Sequence, residues 1–100
     1  MDIRIENEGN MIVARLAGRL DTAAAAEITP DITALSEQAA GHIVLDCTEL
    51  AYISSSGLRL FLSLRKASAS KGGKLQVRNI NSDIRQVFMM TGFISLFEII

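Results

Sequence analysis

The chain has 100 residues, 49% hydrophobic and 21% charged, with a formal net charge of −1. That length suits one domain over residues 1–100, near the lower limit for a core without disulfides or metals, and the composition is too apolar for intrinsic disorder. A near-neutral charge without a basic cluster argues against nucleic acid as a partner, and no apolar run approaches the ~18 residues of a membrane span.

The opening Met1-Asp2-Ile3-Arg4 lacks the basic flank and apolar stretch of a secretory signal, so a cytoplasmic location is expected. Asp2 to Glu6 alternates polar with apolar, as a strand with one face on a core does. Glu8-Gly9-Asn10 supplies a turn before a second strand from Met11 to Ala17, predicting an antiparallel hairpin. From Thr22 the period changes, and Ala25, Ile28, Ile32, Leu35 and Ala39 fall on one helical stripe. Pro30 interrupts it; an interior proline costs ~3 kcal/mol, which predicts a restart with Thr29 as cap.

Ile43-Val44-Leu45 is a short unbroken apolar run, predicting a strand from His42 that meets solvent at Asp46. A loop is then expected up to Ser54-Ser55-Ser56, one of which caps the next helix through its side-chain oxygen. Gly57 follows and permits close approach of another chain. The helix is predicted to reach about Ser70 and to stop at Lys71-Gly72-Gly73. Its polar residues Arg59, Ser63, Lys66 and Ser70 form a narrow stripe, whereas Leu58, Leu60, Phe61, Leu62 and Leu64 surround the first two turns. That is more apolar surface than one sheet contact covers; it either meets a partner or lies under a neighbouring helix. Lys74 to Arg78 alternates again as a strand. Asn81-Ser82-Asp83 offers caps for a helix carrying Ile84, Val87, Phe88 and Thr91 on one face and stopping at Gly92, and a short strand near Leu96 to Ile99 closes the chain. The whole predicts an α/β fold: a mixed sheet opened by a hairpin, with helices packed on it.

Catalytic readings fare poorly. Cys47 is the only cysteine and His42 the only histidine, so an internal disulfide and a structural zinc site are excluded, and Cys47 reads as a small buried hydrophobe. A nucleophilic serine needs a base within hydrogen-bond reach, but His42 opens the strand whose far end leads to the serines, about 13 Å away at Asp46. A nucleophile elbow requires glycines on both sides of the serine, whereas Ser55 has Ile53 and Gly57. Cys47 and His42 have opposite parity along a regular strand. No glycine-rich phosphate loop is present. If the strands ending at Leu20 and Asp46 are parallel, Asp21 and Asp46 share an edge with Ser55. Paired carboxylates there suit Mg²⁺, but carboxylates at loop starts more often cap helices. Neither metal nor cofactor is expected.

The segment Asp46 to Arg59, with Ile53-Ser54-Ser55-Ser56-Gly57-Leu58-Arg59 at its heart, resembles the signature of STAS domains, specifically the bacterial anti-sigma factor antagonists. Gly18-Arg19-Leu20-Asp21 resembles the family's first landmark and Val87 to Phe93 its last helix and turn, so the likeness covers essentially the whole chain. The resemblance implies a single-domain STAS-like fold and a non-enzymatic partner switch. Its unmodified form would bind an anti-sigma factor with serine kinase activity and so release a sigma factor. Phosphorylation at Ser55 would block binding, and a metal-dependent serine phosphatase would restore it. Many antagonists carry Asp just before the modified serine; position 54 here is Ser, which leaves the register among Ser54, Ser55 and Ser56 open. The implied docking surface comprises Asp21, Asp46, Ser54, Ser56, Gly57, Leu58, Arg59 and Leu62, with Arg59 meeting phosphate or partner. The alternative within the family is a STAS subunit that is never phosphorylated, for example an accessory part of a lipid transporter.

Overall fold

The computed structural model describes residues 1–100. Strands β1 (Asp2–Glu8) and β2 (Met11–Leu20) form the expected antiparallel hairpin, turning at Gly9 in a left-handed conformation (φ 61°). Helix α1 (Thr22–Glu37) leads to β3 (His42–Ile53), which pairs parallel to β2. Helix α2 (Ser55–Lys71) then crosses to β4 (Lys74–Arg78), parallel to β3, and α3 (Ser82–Thr91) with a short 3₁₀ turn (Phe93–Ser95) leads to the two-residue β5 (Glu98–Ile99). The sheet order is β1-β2-β3-β4-β5, the mixed α/β arrangement that alternating strands and helices predict.

Register assigns the two faces of the sheet. The cross-strand row Ala14, Leu45 and Val77 enters one core with Ala25, Ile28 and Ile32 of α1, Phe61 and Leu64 of α2, and Ile84 and Phe88 of α3. The neighbouring row Arg15, Asp46 and Arg78 therefore points to the opposite face, which no helix covers. Phe61 and Phe88 meet edge to face with ring centroids 6.3 Å apart, joining α3 to α2.

Two sequence expectations fail here. Helix α1 does not restart at Thr29; it runs unbroken through Pro30. The Thr29 hydroxyl donates back to the Ala25 carbonyl (2.7 Å), and Ala26, whose carbonyl loses its amide partner to the proline, lies exposed to water, as does Pro30. Nor does β3 end at Asp46. It continues seven residues further to Ile53, and its pairing with β2 shifts twice, between Arg15 and Ala17 and between Gly18 and Arg19, so that twelve residues of β3 run beside ten of β2. Such bulges break the period-two pattern, which is why the extension reads as a loop in the sequence. At the first bulge Asp46 Oδ1 accepts the Thr48 backbone N–H (2.9 Å).

Candidate functional site

At the C-terminal ends of β2 and β3 the last registered pair is Leu20 and Ile53, both buried. Asp21 follows Leu20 and caps α1, its Oδ1 accepting from Ala24 N at 2.8 Å. Ser54 follows Ile53; its backbone N donates to Leu20 O (2.9 Å), tying the turn to β2. The Ser54 backbone is extended (φ −89°, ψ 172°) and its Oγ accepts from Gly57 N at 3.2 Å, so the N-cap of α2 is Ser54.

That assignment separates the three serines. The Ser54 hydroxyl is engaged and half-buried, Ser55 is the first helical residue and exposed, and Ser56 is half-buried. Gly57 is buried: a Cβ there would lie 2.7 Å from Leu20 Cγ and 2.9 Å from Ile53 Cγ1. The missing side chain lets the first turn of α2 rest directly on the ends of the two strands. Arg59, four residues after Ser55 on the same helix face, is exposed.

The structure therefore gathers Asp21, Ser54, Ser55, Ser56 and Arg59 at one end of the sheet, and it separates Asp46 from them. Asp46 and Ile53 are seven steps apart along β3, about 20 Å, and the carboxylate points to the helix-free face. There it is the hub of an ion cluster. Asp46 Oδ2 accepts from Arg15 Nη1 (3.1 Å) and Arg78 Nε (2.8 Å); Arg15 also pairs with Glu6 and Glu8, and Arg78 Nη2 reaches Glu8 at 3.5 Å. Burial alone pushes the Asp46 carboxyl up, but the hydrogen bonds from Thr48 and Arg78 outweigh it and hold it below the usual carboxylate range. Its placement in the docking surface is thus corrected: β3 does not end at Asp46 but runs on to Ile53, which sets the carboxylate far from the serine turn.

Two further residues of that surface are also corrected. Leu58 is buried in the common core beside α1 and α2 residues, so its side chain has no surface to offer. Gly57 contacts Leu20 and Ile53 positions instead of solvent. Phe61 and Leu64 are buried and Leu60 and Leu62 half-buried, so neighbouring elements cover most of the apolar excess on α2. Leu62 keeps a partial surface.

One pair at this end escapes a reading by motif. Arg19 and Tyr52 are registered partners across β2 and β3, and the Arg19 Cζ lies 4.3 Å from the centroid of the Tyr52 ring. Tyr52 is 40% exposed. Their positions, adjacent to core-facing Leu20 and Ile53, turn them away from the helices. Both bulges, the second of which skips Ala51, are needed to set them opposite each other.

Chemically, the end offers an exposed primary hydroxyl at a helix N-terminus, where free backbone N–H groups favour negative charge. His42 lies at the other end of β3, its Nε2 2.6 Å from Gln76 Oε1. Cys47 is fully buried, and burial followed by the Asp46 charge pushes its thiol up to about 12. Neither supplies a base or nucleophile to Ser55.

Comparison with known proteins matches residues 2–100 to the STAS domain family. BtrV of Bordetella bronchiseptica, assigned provisionally as an anti-sigma factor antagonist, is 30% identical over 99% of this chain and 85% of its own length. The anti-sigma F factor antagonist of Paenibacillus polymyxa is 27% identical over 99% of this chain and 86% of its own. Among solved structures, the Bacillus antagonist SpoIIAA in its unphosphorylated form superposes with a TM-score of 0.80 at 24% identity, covering 99% of this chain and 88% of that one. The phosphorylated form gives 0.73 at 24% identity, covering 99% and 91%.

Proposed function

This chain belongs to the STAS domain family, and from that membership and the exposure of Ser55 we propose that it is an anti-sigma factor antagonist switched by phosphorylation of that serine. The observation that carries the reading is the division of labour among the serines: Ser54 is consumed as the helix cap, leaving Ser55 as the exposed hydroxyl of the first turn. The unmodified protein binds an anti-sigma factor in the bacterial cytoplasm, and sigma factor is freed. The same partner, acting as a serine kinase, moves the γ-phosphoryl group of ATP to Ser55 Oγ, with release of ADP and the hydroxyl proton. A metal-dependent phosphatase returns the hydroxyl by hydrolysis.

The charge step suits the place. A phosphate adds roughly −1.5 to −2 charges beside Asp21, at a surface that a partner must desolvate. Within the domain the same charge meets the N-terminus of α2, worth ~0.3 to 1 kcal/mol at an exposed position, and Arg59 one turn on. The fold is retained while the docking surface changes sign of attraction. Asp21, Ser54, Ser56, Arg59 and the exposed part of Leu62 form the remaining docking positions in this reading.

Incubation with the source organism's anti-sigma factor and ATP, followed by peptide mass mapping, is expected to place one phosphate on Ser55. Ser55→Ala should bind that factor irrespective of ATP, and Ser55→Asp should bind at least tenfold more weakly. Equal binding by the two variants would end the proposal.

A further inference from the structure

Strands β2 and β3 outrun their neighbours. Pairing with β1 stops at Ala17 and pairing with β4 stops at Asp46, so Gly18–Leu20 and Leu50–Ile53 continue as a two-stranded ribbon. One face of the ribbon is closed by the core and the first turn of α2. The other carries Arg19 and Tyr52.

We infer that the Arg19 and Tyr52 pair is an anchor of the docking surface, gripping the same protein that meets Ser55. The inference rests on the proposed function. Tyr52 precedes Ser55 by three residues, so their Cα atoms are at most ~11 Å apart. A partner of ordinary size covers about 800 Å² on each side, a patch some 30 Å across, and one centred on Ser55 therefore extends over Tyr52. The hydrogen bond from Ser54 N to Leu20 O makes the ribbon tip and the serine turn one continuous surface.

The side chains have the chemistry of an anchor. Tyrosine and arginine are enriched among residues that dominate binding, because they present large area, a hydrogen-bonding tip and a charge at modest entropic cost. Here the guanidinium already lies over the ring at 4.3 Å, so the pair is ordered before a partner arrives. Arg19 forms no ion pair that would hold it for the fold, whereas Arg15 and Arg78 on the same sheet are tied to carboxylates. Neither Arg19 nor Tyr52 belongs to the core.

Titration calorimetry with the source organism's anti-sigma factor, using the full chain, tests this. Tyr52→Ala is expected to weaken binding at least tenfold and Arg19→Ala three- to tenfold, with melting temperatures near that of the parent; Tyr52→Phe should stay within threefold. Amide hydrogen exchange of the unaltered complex should show new protection at residues 18–20 and 50–53. Parent-like binding by Tyr52→Ala together with weak binding by Ser55→Asp refutes the anchor and leaves the switch standing. Weak binding by Tyr52→Ala together with equal binding by Ser55→Ala and Ser55→Asp supports the anchor and refutes the switch. No binding by the parent chain overturns both.

Discussion

Ser54 and Asp46 show how differently two polar residues serve this fold. Ser54 Oγ holds the Gly57 amide at 3.2 Å, so Ser54→Ala is expected to cost about 1 kcal/mol, whereas Ser54→Asp keeps a cap oxygen and the stability. Chemical denaturation of the two variants checks this. Asp46, with only 5% of its side chain exposed, separates two guanidinium groups. Asp46→Asn leaves Arg15 and Arg78 with Glu8 as their only shared anion and weakens two charge-assisted hydrogen bonds, at an expected cost of about 1.5–3 kcal/mol at pH 7. Its folded carboxyl titrates below the unfolded value, so its stabilisation is complete above about pH 4 and fades as pH falls through the folded value. The stability gap between parent and Asp46→Asn in urea titrations should accordingly shrink below pH 4; a constant gap would contradict the linkage.

Elements are held by contacts between their ends as much as by their own periodicity. Gly73, after α2, has its Cβ position 1.8 Å from the Ala39 carbonyl oxygen, because Lys74 N donates to Gly41 O (3.0 Å) and draws the two turns together. Backbone cannot yield as a side chain does, so Gly73→Ala should exceed the roughly 1–3 kcal/mol of ordinary overpacking and reduce the soluble yield. Gly57→Ala meets the side chains of Leu20 and Ile53 instead and should fall within that range, which thermal melts of the two proteins compare. Helix α1 offers the opposite case: Pro30 is exposed in its interior. Pro30→Ala restores an amide to the Ala26 carbonyl and should stabilise the protein by about 1 kcal/mol or more, raising the melting temperature by roughly 4 to 8 °C. A lower melting temperature would show that proline's restriction of the unfolded chain outweighs the lost bond.

At the scale of the molecule, the sheet divides two kinds of polar work between its faces and ends. The helix-free face locks β1, β2, β3 and β4 together through Glu6, Glu8, Arg15, Asp46 and Arg78, while the end carrying Ser55 leaves its hydroxyl, Arg59 and the Arg19 and Tyr52 pair uncommitted to the core. No helix is long and apolar enough to cross a membrane. Charge introduced at Ser55 lies about 20 Å along β3 from the ion cluster, beyond the ~8 Å screening length at physiological salt. Ser55→Asp should therefore melt within a few degrees of the parent.

By itself the sequence determined the alternation of strands and helices, the hairpin, a cap within Asn81-Ser82-Asp83, and the stops at Lys71-Gly72-Gly73 and Gly92, because periodicity, capping and left-handed glycines are local properties of the chain. It also marked the serine turn and the family. Tertiary structure alone decided that β3 runs on to Ile53, that Asp46 joins Arg15 and Arg78 on the far face, that Leu58 belongs to the core, and that Arg19 meets Tyr52. Each of these depends on register and bulges between strands distant in sequence, and a one-residue shift exchanges the faces of every side chain that follows.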